Sequence, residues 1–304
     1  MLAWDTMRID PAYRERLRSA GLDSMSRVLA RVDGVVAAWS RSTETLQIPG
    51  SGSDPGLFLK RVYVPRWSSR WRGALRGTLV GLHRGHAEYL ALNALRWAGV
   101  PAVRPVAYGA RLVVGFVAAS ILITEAVPDS VNLTTFAQQL AAGERTLSLA
   151  QRREMLARLA ALVADMHAAG VSHGNLFWRN VMVRPAPDGG YEFFLLDAQP
   201  LRFWERVRAP RRWWLRELAQ LCTSAVPFTT RSERLRFVRA YLGNAPLSAA
   251  LKSHLREIER MARAGRPHED RRVWMNRLFE CWRSRLAQEA ARSGPGASPP
   301  VAPP

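Results

Sequence analysis

The chain is poor in cysteine and in acid, and each shortage excludes something. Its two cysteines, Cys222 and Cys281, lie far apart without C-x-x-C spacing. That argues against a disulfide framework or a structural zinc site and fits a reducing cytosol. Only 25 Asp and Glu stand against 44 Lys and Arg, for a formal charge of +19 and a pI of about 11.4. Such a molecule is drawn to phosphates, whether on nucleic acid, nucleotide or anionic lipid. Long apolar runs are also missing. The longest, Leu112 to Ile123, is too short to cross a bilayer, is broken by Gly115 and Ser120, and reads as buried strands. The opening MLAWDTMRIDPAYRERLRSAG is charged and has no apolar segment of the secretory kind. No repeat of fixed period occurs. Core material is not short, since 48% of the 304 residues are hydrophobic, enough for one large domain or two lobes.

Residues 1–33 are polar and helical in pattern, with Leu17, Leu22, Met25, Val28 and Leu29 on a modest apolar face, and read as a helical extension. From Val35 the period changes. VVAAWSRS, TETLQI and LFLKRVYV are strand-like runs that predict an antiparallel meander. Lys60 sits in the third. A lysine in an apolar strand ordinarily turns to the solvated face. A basic, Trp-containing segment follows, then HAEYLALNALRWAGV, a helix with Glu88 near its start and Gly99 as its stop. A lone Glu there is ordinarily a solvated charge. PAVRPVAYG and LVVGFVAASILITE complete a lobe of five strands spanning 34–127. A second, mainly helical lobe follows over 128–290. Ser148 and Gln151 form a capping-box signal for a helix that ends at Gly170. Further helices are predicted near Arg212, over Ser232–Leu242, between Ala249 and Arg263, and from Asp270 to Ala291. The Pro-rich tail, 291–304, has no apolar face and reads as disordered.

The densest chemistry lies in VSHGNLFWRNVMVRPAPDGGYEFFLLDAQ. A loop carries His173, Asn175 and Asn180, and a hairpin turning at Asp188-Gly189-Gly190 leads to Asp197. A carboxylate closing a buried strand beside a polar loop is well placed to hold a metal. In the kinase loop H-R-D-L-x-x-x-N the His and Asn are seven apart, and a strand pair then leads to D-F-G. His173 and Asn180 are seven apart, Leu176 matches, and Asp197-Ala198-Gln199 stands where D-F-G would. One position breaks the pattern. Asn175 takes the place of the catalytic Asp, and an amide cannot accept a proton as a carboxylate does. Asp165 and Asp188 are other acids that could serve as base.

Strand Lys60, helix Glu88, the His173 loop and Asp197, in that order, resemble the protein-kinase-like fold. Phrases such as LFLKR, AEYLALNALRWAGVPAVRPVAYG, MHAAGVSHGNLFWRNVMV, FFLLDAQPLRF and LRELAQL resemble the bacterial lipopolysaccharide kinase family, the group of the Kdo and heptose kinases, over residues 20–245. The resemblance implies a bilobal α+β fold, with a small antiparallel sheet and one main helix in the first lobe and a mainly helical second lobe. It implies ATP and Mg²⁺ as cofactors, with Lys60 on the phosphates and paired to Glu88, and Asn180 and Asp197 holding Mg²⁺. His173 would be structural, and Glu125, Ala126 and Val127 a hinge facing the adenine. Gln199 departs from the Gly of D-F-G, and no G-x-G-x-x-G precedes Lys60, although Gly50, Gly52 and Gly56 lie in the connection. The implied acceptor is a lipopolysaccharide core sugar or related anionic glycolipid, met by a cytoplasmic protein peripheral to the inner membrane. Two Arg-rich, aromatic stretches suit an anionic membrane surface: Arg61 to Arg84 with Trp67 and Trp71, and Arg202 to Arg216 with Phe203, Trp204, Trp213 and Trp214. Two other readings stand beside it. One is a nucleotide-binding pseudokinase that acts as a scaffold; the other is a basic nucleic-acid-binding protein.

Overall fold

The computed structural model describes residues 2–40, 42–50, 54–64, 69–70, 83–199, 213–246 and 248–293. Six strands form one sheet: β1 (Ala3–Ile9), β2 (Val35–Ser40), β3 (Thr43–Ile48), β4 (Leu57–Tyr63), β5 (Pro105–Val113) and β6 (Phe116–Glu125). They run antiparallel in the order β1-β5-β6-β4-β3-β2, so β4 is an inner strand with Lys60 opposite Thr45 on one side and Leu122 on the other. The two-residue alternation of a strand decides what each side chain meets. Leu57, Leu59 and Arg61 face helices α1 (Arg14–Ser19) and α2 (Met25–Ala30) and the turn between them, where Leu17, Leu22, Met25 and Val28 are buried. Arg61 donates there to the Val28, Leu29 and Arg31 carbonyls. Lys60 therefore faces the other way, toward α3 (Arg84–Trp97).

Helix α3 starts at His83, whose ring accepts from the His86 amide at 3.3 Å, and ends before Gly99, where the Val100 amide returns to the Leu95 carbonyl. Leu92 and Leu95 are fully buried beneath it, at about 2 kcal/mol of burial each. Gly85 lets the first turn lie on the sheet, since a Cβ there would stand 2.1 Å from the Ile121 carbonyl oxygen. That contact sets the depth of Glu88 one turn later.

The second lobe comprises α4 (Leu133–Ala141), α5 (Leu149–Ala168), α6 (Trp213–Ala225), α7 (Arg231–Tyr241) and α8 (Ala249–Ser293). A small sheet joins them: β7 (Val131–Asn132), β8 (Val181–Pro185) and β9 (Tyr191–Leu195). The predicted capping box at Ser148 and Gln151 starts α5. The lobes are tied by backbone where the chain leaves α3: Val103 donates to the Leu195 carbonyl at 2.9 Å and Leu195 to the Pro101 carbonyl at 3.0 Å. Asp197, two residues on, is thereby fixed against the first lobe.

Three expectations are corrected. Residues 3–9 form edge strand β1 rather than part of a helical extension, making six strands where five were expected; Arg111 clamps Asp5 with two 2.8 Å bonds across the β1–β5 pair. The two C-terminal helices are one, α8, running through Pro267. A proline inside a helix costs about 3 kcal/mol. Contacts on both sides of it oppose that cost: Arg266 donates to the Thr223 carbonyl at 3.1 Å and pairs with Asp270, and Glu269 pairs with Arg179. The expected tail beyond 293, most of both Arg-rich stretches, and Gly52 lie outside the described residues. No described helix is long and apolar enough to cross a membrane.

Gly85→Ala is expected to force α3 off the sheet. Overpacking of about 1–3 kcal/mol corresponds to a fall of roughly 2–10 °C in thermal midpoint, read by circular dichroism. An unchanged midpoint would contradict the close approach.

Candidate active site between the lobes

Lys60 Nζ donates to both oxygens of Glu88, at 3.0 and 2.8 Å, and to Asp197 Oδ1 at 2.5 Å. One ammonium thus joins β4, α3 and the segment after β9. All three groups are largely buried, the side chains of Lys60, Glu88 and Asp197 being 17%, 8% and 22% exposed. Burial opposes the charge on Lys60, but the Glu88 and Asp197 carboxylates reverse it, and the ammonium is held more firmly than in free lysine. Burial would push the Asp197 carboxyl up; Lys60, with Arg84 behind it, outweighs burial and holds it below the usual carboxylate range. Glu88 is more deeply buried, and there burial prevails over Lys60 and raises the carboxyl.

Asp197 has φ 56°, a left-handed backbone uncommon outside glycine and concentrated at functional sites. Its second oxygen accepts from Asn175 Nδ2 at 2.8 Å. Asn180 Nδ2 donates in turn to the Asn175 carbonyl at 2.8 Å, and the Asn180 carbonyl accepts from the Leu196 amide at 3.0 Å. His173 is fully buried, which lowers its pKa, and its Nε2 lies 2.9 Å from the Leu196 carbonyl. Neutral and protonated on Nε2, it donates there. The Gln199 amide closes the loop on the His173 carbonyl at 2.7 Å. That closure requires glycine at 174, where φ is +73° and a Cβ would stand 2.3 Å from the Gln199 carbonyl oxygen.

The sequence does not single out what holds this loop from below. Gly174 donates to Glu217 Oε1 at 2.5 Å, Leu176 to Gln220 Oε1 at 2.8 Å, and Trp178 to Ser224 Oγ at 3.2 Å. Alternate amides of an extended loop meet positions i, i+3 and i+7 of α6, one face of a helix. The usable signal is that polar triplet at helical spacing, two of whose members, Glu217 and Ser224, are buried among Leu215, Leu218, Ala219 and Leu221. Glu217 is 2% exposed, and its Oε2 also lies 3.0 Å from His167 Nε2.

Lys60, Glu88, His173, Asn175, Asn180 and Asp197 therefore converge. Glu125, Ala126 and Val127 stand apart from them. The Glu125 and Ala126 amides are engaged by the Arg104 and Gly56 carbonyls, and the Glu125 carboxylate turns to Arg16 at 3.1 Å. Asp188 is bound to Arg158 and to the Gly190 amide at the tip of the β8–β9 hairpin, the end opposite Asp197, and Asp165 is exposed on α5. An ionised carboxylate at the cleft and a neighbouring amide side chain are the oxygen donors that suit Mg²⁺, which keeps part of its water shell.

Glu217→Ala strips the buried acceptor from Gly174 and His167. We expect a loss of about 3 kcal/mol, a fall of roughly 6–12 °C in thermal midpoint, and faster exchange of the Gly174 amide. Ser224→Ala is expected to cost only about 1 kcal/mol. Equal effects of the two would contradict the central place of Glu217.

The family model described as Lipopolysaccharide kinase (Kdo/WaaP) family matches residues 57–241. Among curated relatives, the lipopolysaccharide core heptose(I) kinase WaaP of Pseudomonas aeruginosa is 31% identical over 169 residues, 54% of this chain and 61% of the relative. The protein of the same name from Escherichia coli is 29% identical over 181 residues, 59% of this chain and 66% of the relative. The matches thus span just under two thirds of those relatives' lengths. A solved structure of WaaP in complex with acyl carrier protein has the same fold, with TM-score 0.58 at 24% identity, covering 85% of this chain and 98% of that one. With well over half its length matched, on a segment that holds every group converging in the cleft, the chain belongs to the lipopolysaccharide kinase (Kdo/WaaP) family.

Proposed function

We propose that this chain transfers the γ-phosphoryl group of ATP to a sugar of the lipopolysaccharide core, a Kdo or heptose, or to a related anionic glycolipid. The observation that carries the reading is the single ammonium of Lys60 shared by Glu88 and Asp197. A nucleic-acid module has no need of that arrangement. Phosphoryl transfer passes through a loose transition state, so positioned charge does most of the work. Lys60, already oriented by Glu88, would turn from Asp197 to the phosphates. Asp197 and Asn180 would hold Mg²⁺, which when bound neutralises charge on the phosphate oxygens. Asn175 would orient the acceptor hydroxyl by hydrogen bonding. The positive charge of the chain supports a site at the inner face of the cytoplasmic membrane, against anionic headgroups.

A second reading, a nucleotide-binding pseudokinase that acts as a scaffold, is favoured by one contact. The Asn175 amide donates to Asp197 and has no proton-accepting capacity of its own. A general base contributes about 10²- to 10⁴-fold, so its loss slows transfer without removing nucleotide binding.

Mg-ATP is expected to raise the thermal midpoint of the parent and to leave Lys60→Ala and Asp197→Ala unmoved. Asn175→Asp is expected to speed transfer to purified core fragments by about tenfold or more. No shift in the parent would defeat both readings. Binding without any gain from Asn175→Asp would favour the pseudokinase.

A further inference from the structure

The His173 loop has no carboxylate of its own, yet it holds a buried arginine. Arg179, four residues after Asn175, pairs through Nη1 with Glu269 of α8 and reaches the Asn175 Oδ1 with Nη2 at 3.4 Å. The guanidinium stacks 4.2 Å over the Phe177 ring, and the Arg179 and Glu269 side chains are 13% and 4% exposed. The other Glu269 oxygen, Oε1, is buried with no hydrogen-bond partner among the described residues. A buried carboxylate left half satisfied is costly, and stability alone gives little reason to keep one.

We propose that Glu269 is a positioning residue of the cleft: through Arg179 it supplies from α8 the negative charge that the loop lacks at Asn175, and so fixes the Asn175 amide against Asp197. The chemistry of the amide fits. Its oxygen accepts from Arg179 while its nitrogen donates to Asp197, one acceptor and one donor, which a carboxylate cannot match. An Asp at 175 would set two carboxylates side by side while Glu269 already balances Arg179. With Glu269 neutral, the same Asp would restore the balance. The catalytic importance of this coupling rests on the phosphotransfer reading, but the coupling itself does not.

A double-mutant cycle tests it on the full chain, without Mg²⁺, using thermal midpoints of the parent, Glu269→Gln, Asn175→Asp and the double variant. Each single change is expected to lower the midpoint by several degrees, and the double variant to lie clearly above the sum of the two losses. In Mg-ATP, Glu269→Gln is expected to lower kcat about tenfold with the KM for ATP within about threefold. The gain from Asn175→Asp should then be larger in the Glu269→Gln background than in the parent. Additive midpoint losses would overturn the proposal, because a pair that serves only structure is indifferent to residue 175. Should Glu269→Gln fail to fold, Glu269→Asp enters the same cycle with a smaller coupling of the same sign. Absence of turnover in the parent would defeat the phosphotransfer reading, and the midpoints would still decide the coupling.

Discussion

One ammonium, Lys60 Nζ, holds the two lobes in register. It meets a carboxylate from the helix on its own sheet and another from the far side of the cleft. Charges this well buried lose most of their hydration, and removing one partner of such a group costs about 3–5 kcal/mol. The fold therefore has to deliver all three with little slack. The alternation of β4 turns Lys60 away from α1 and α2, Gly85 brings α3 down onto β6, and the Pro101–Val103 backbone pins Leu195 just before Asp197.

The opposite wall is built on a different principle. The His173 loop has one short 3-10 turn, Trp178–Asn180, and satisfies part of its backbone internally, but the Gly174, Leu176 and Trp178 amides need acceptors from elsewhere. Helix α6 supplies them from one face, through Glu217, Gln220 and Ser224. Helix α8 backs α6, with Ile258 and Ala262 buried and Arg266 on the Thr223 carbonyl, and carries Glu269 to the loop. The loop is thus held from α6 beneath and from α8 at Arg179. With Asn175 as a neutral member, the Lys60 ammonium is shared by Glu88 and Asp197 on one side, and Arg179 is paired with Glu269 on the other.

Much of the site is legible in the sequence because its parts are local. The seven-residue spacing of His173 and Asn180, the hairpin before Asp197, and the strand-then-helix order of Lys60 and Glu88 need no knowledge of the packing. The stretches that misled are those decided by distant contacts. β1 is largely exposed and is a strand because β5 pairs with it; α8 survives Pro267 because α6 and Arg179 hold it. Arg179 and Glu269 are ninety residues apart, and no local pattern joins them. At the expected hinge the Glu125 and Ala126 amides are taken by the Arg104 and Gly56 carbonyls, pairings that no local pattern shows. The sequence also holds a signal that spacing does not use. Of the 44 basic residues only Lys60 and Lys252 are lysines. In a chain that otherwise uses arginine, a lysine inside an apolar strand marks a place for a compact, reorientable charge rather than a planar fork.

That scarcity also offers the most direct test. An acyl-phosphate derivative of ATP transfers its acyl group to an amine lying against the phosphates, and peptide mass spectrometry then locates the acylated lysine. The account predicts acylation of Lys60, suppressed by excess Mg-ATP, with exposed Lys252 on α8 labelled weakly and without protection. Labelling of Lys252 alone, or labelling of Lys60 that Mg-ATP does not suppress, would contradict the claim that Lys60 faces a nucleotide.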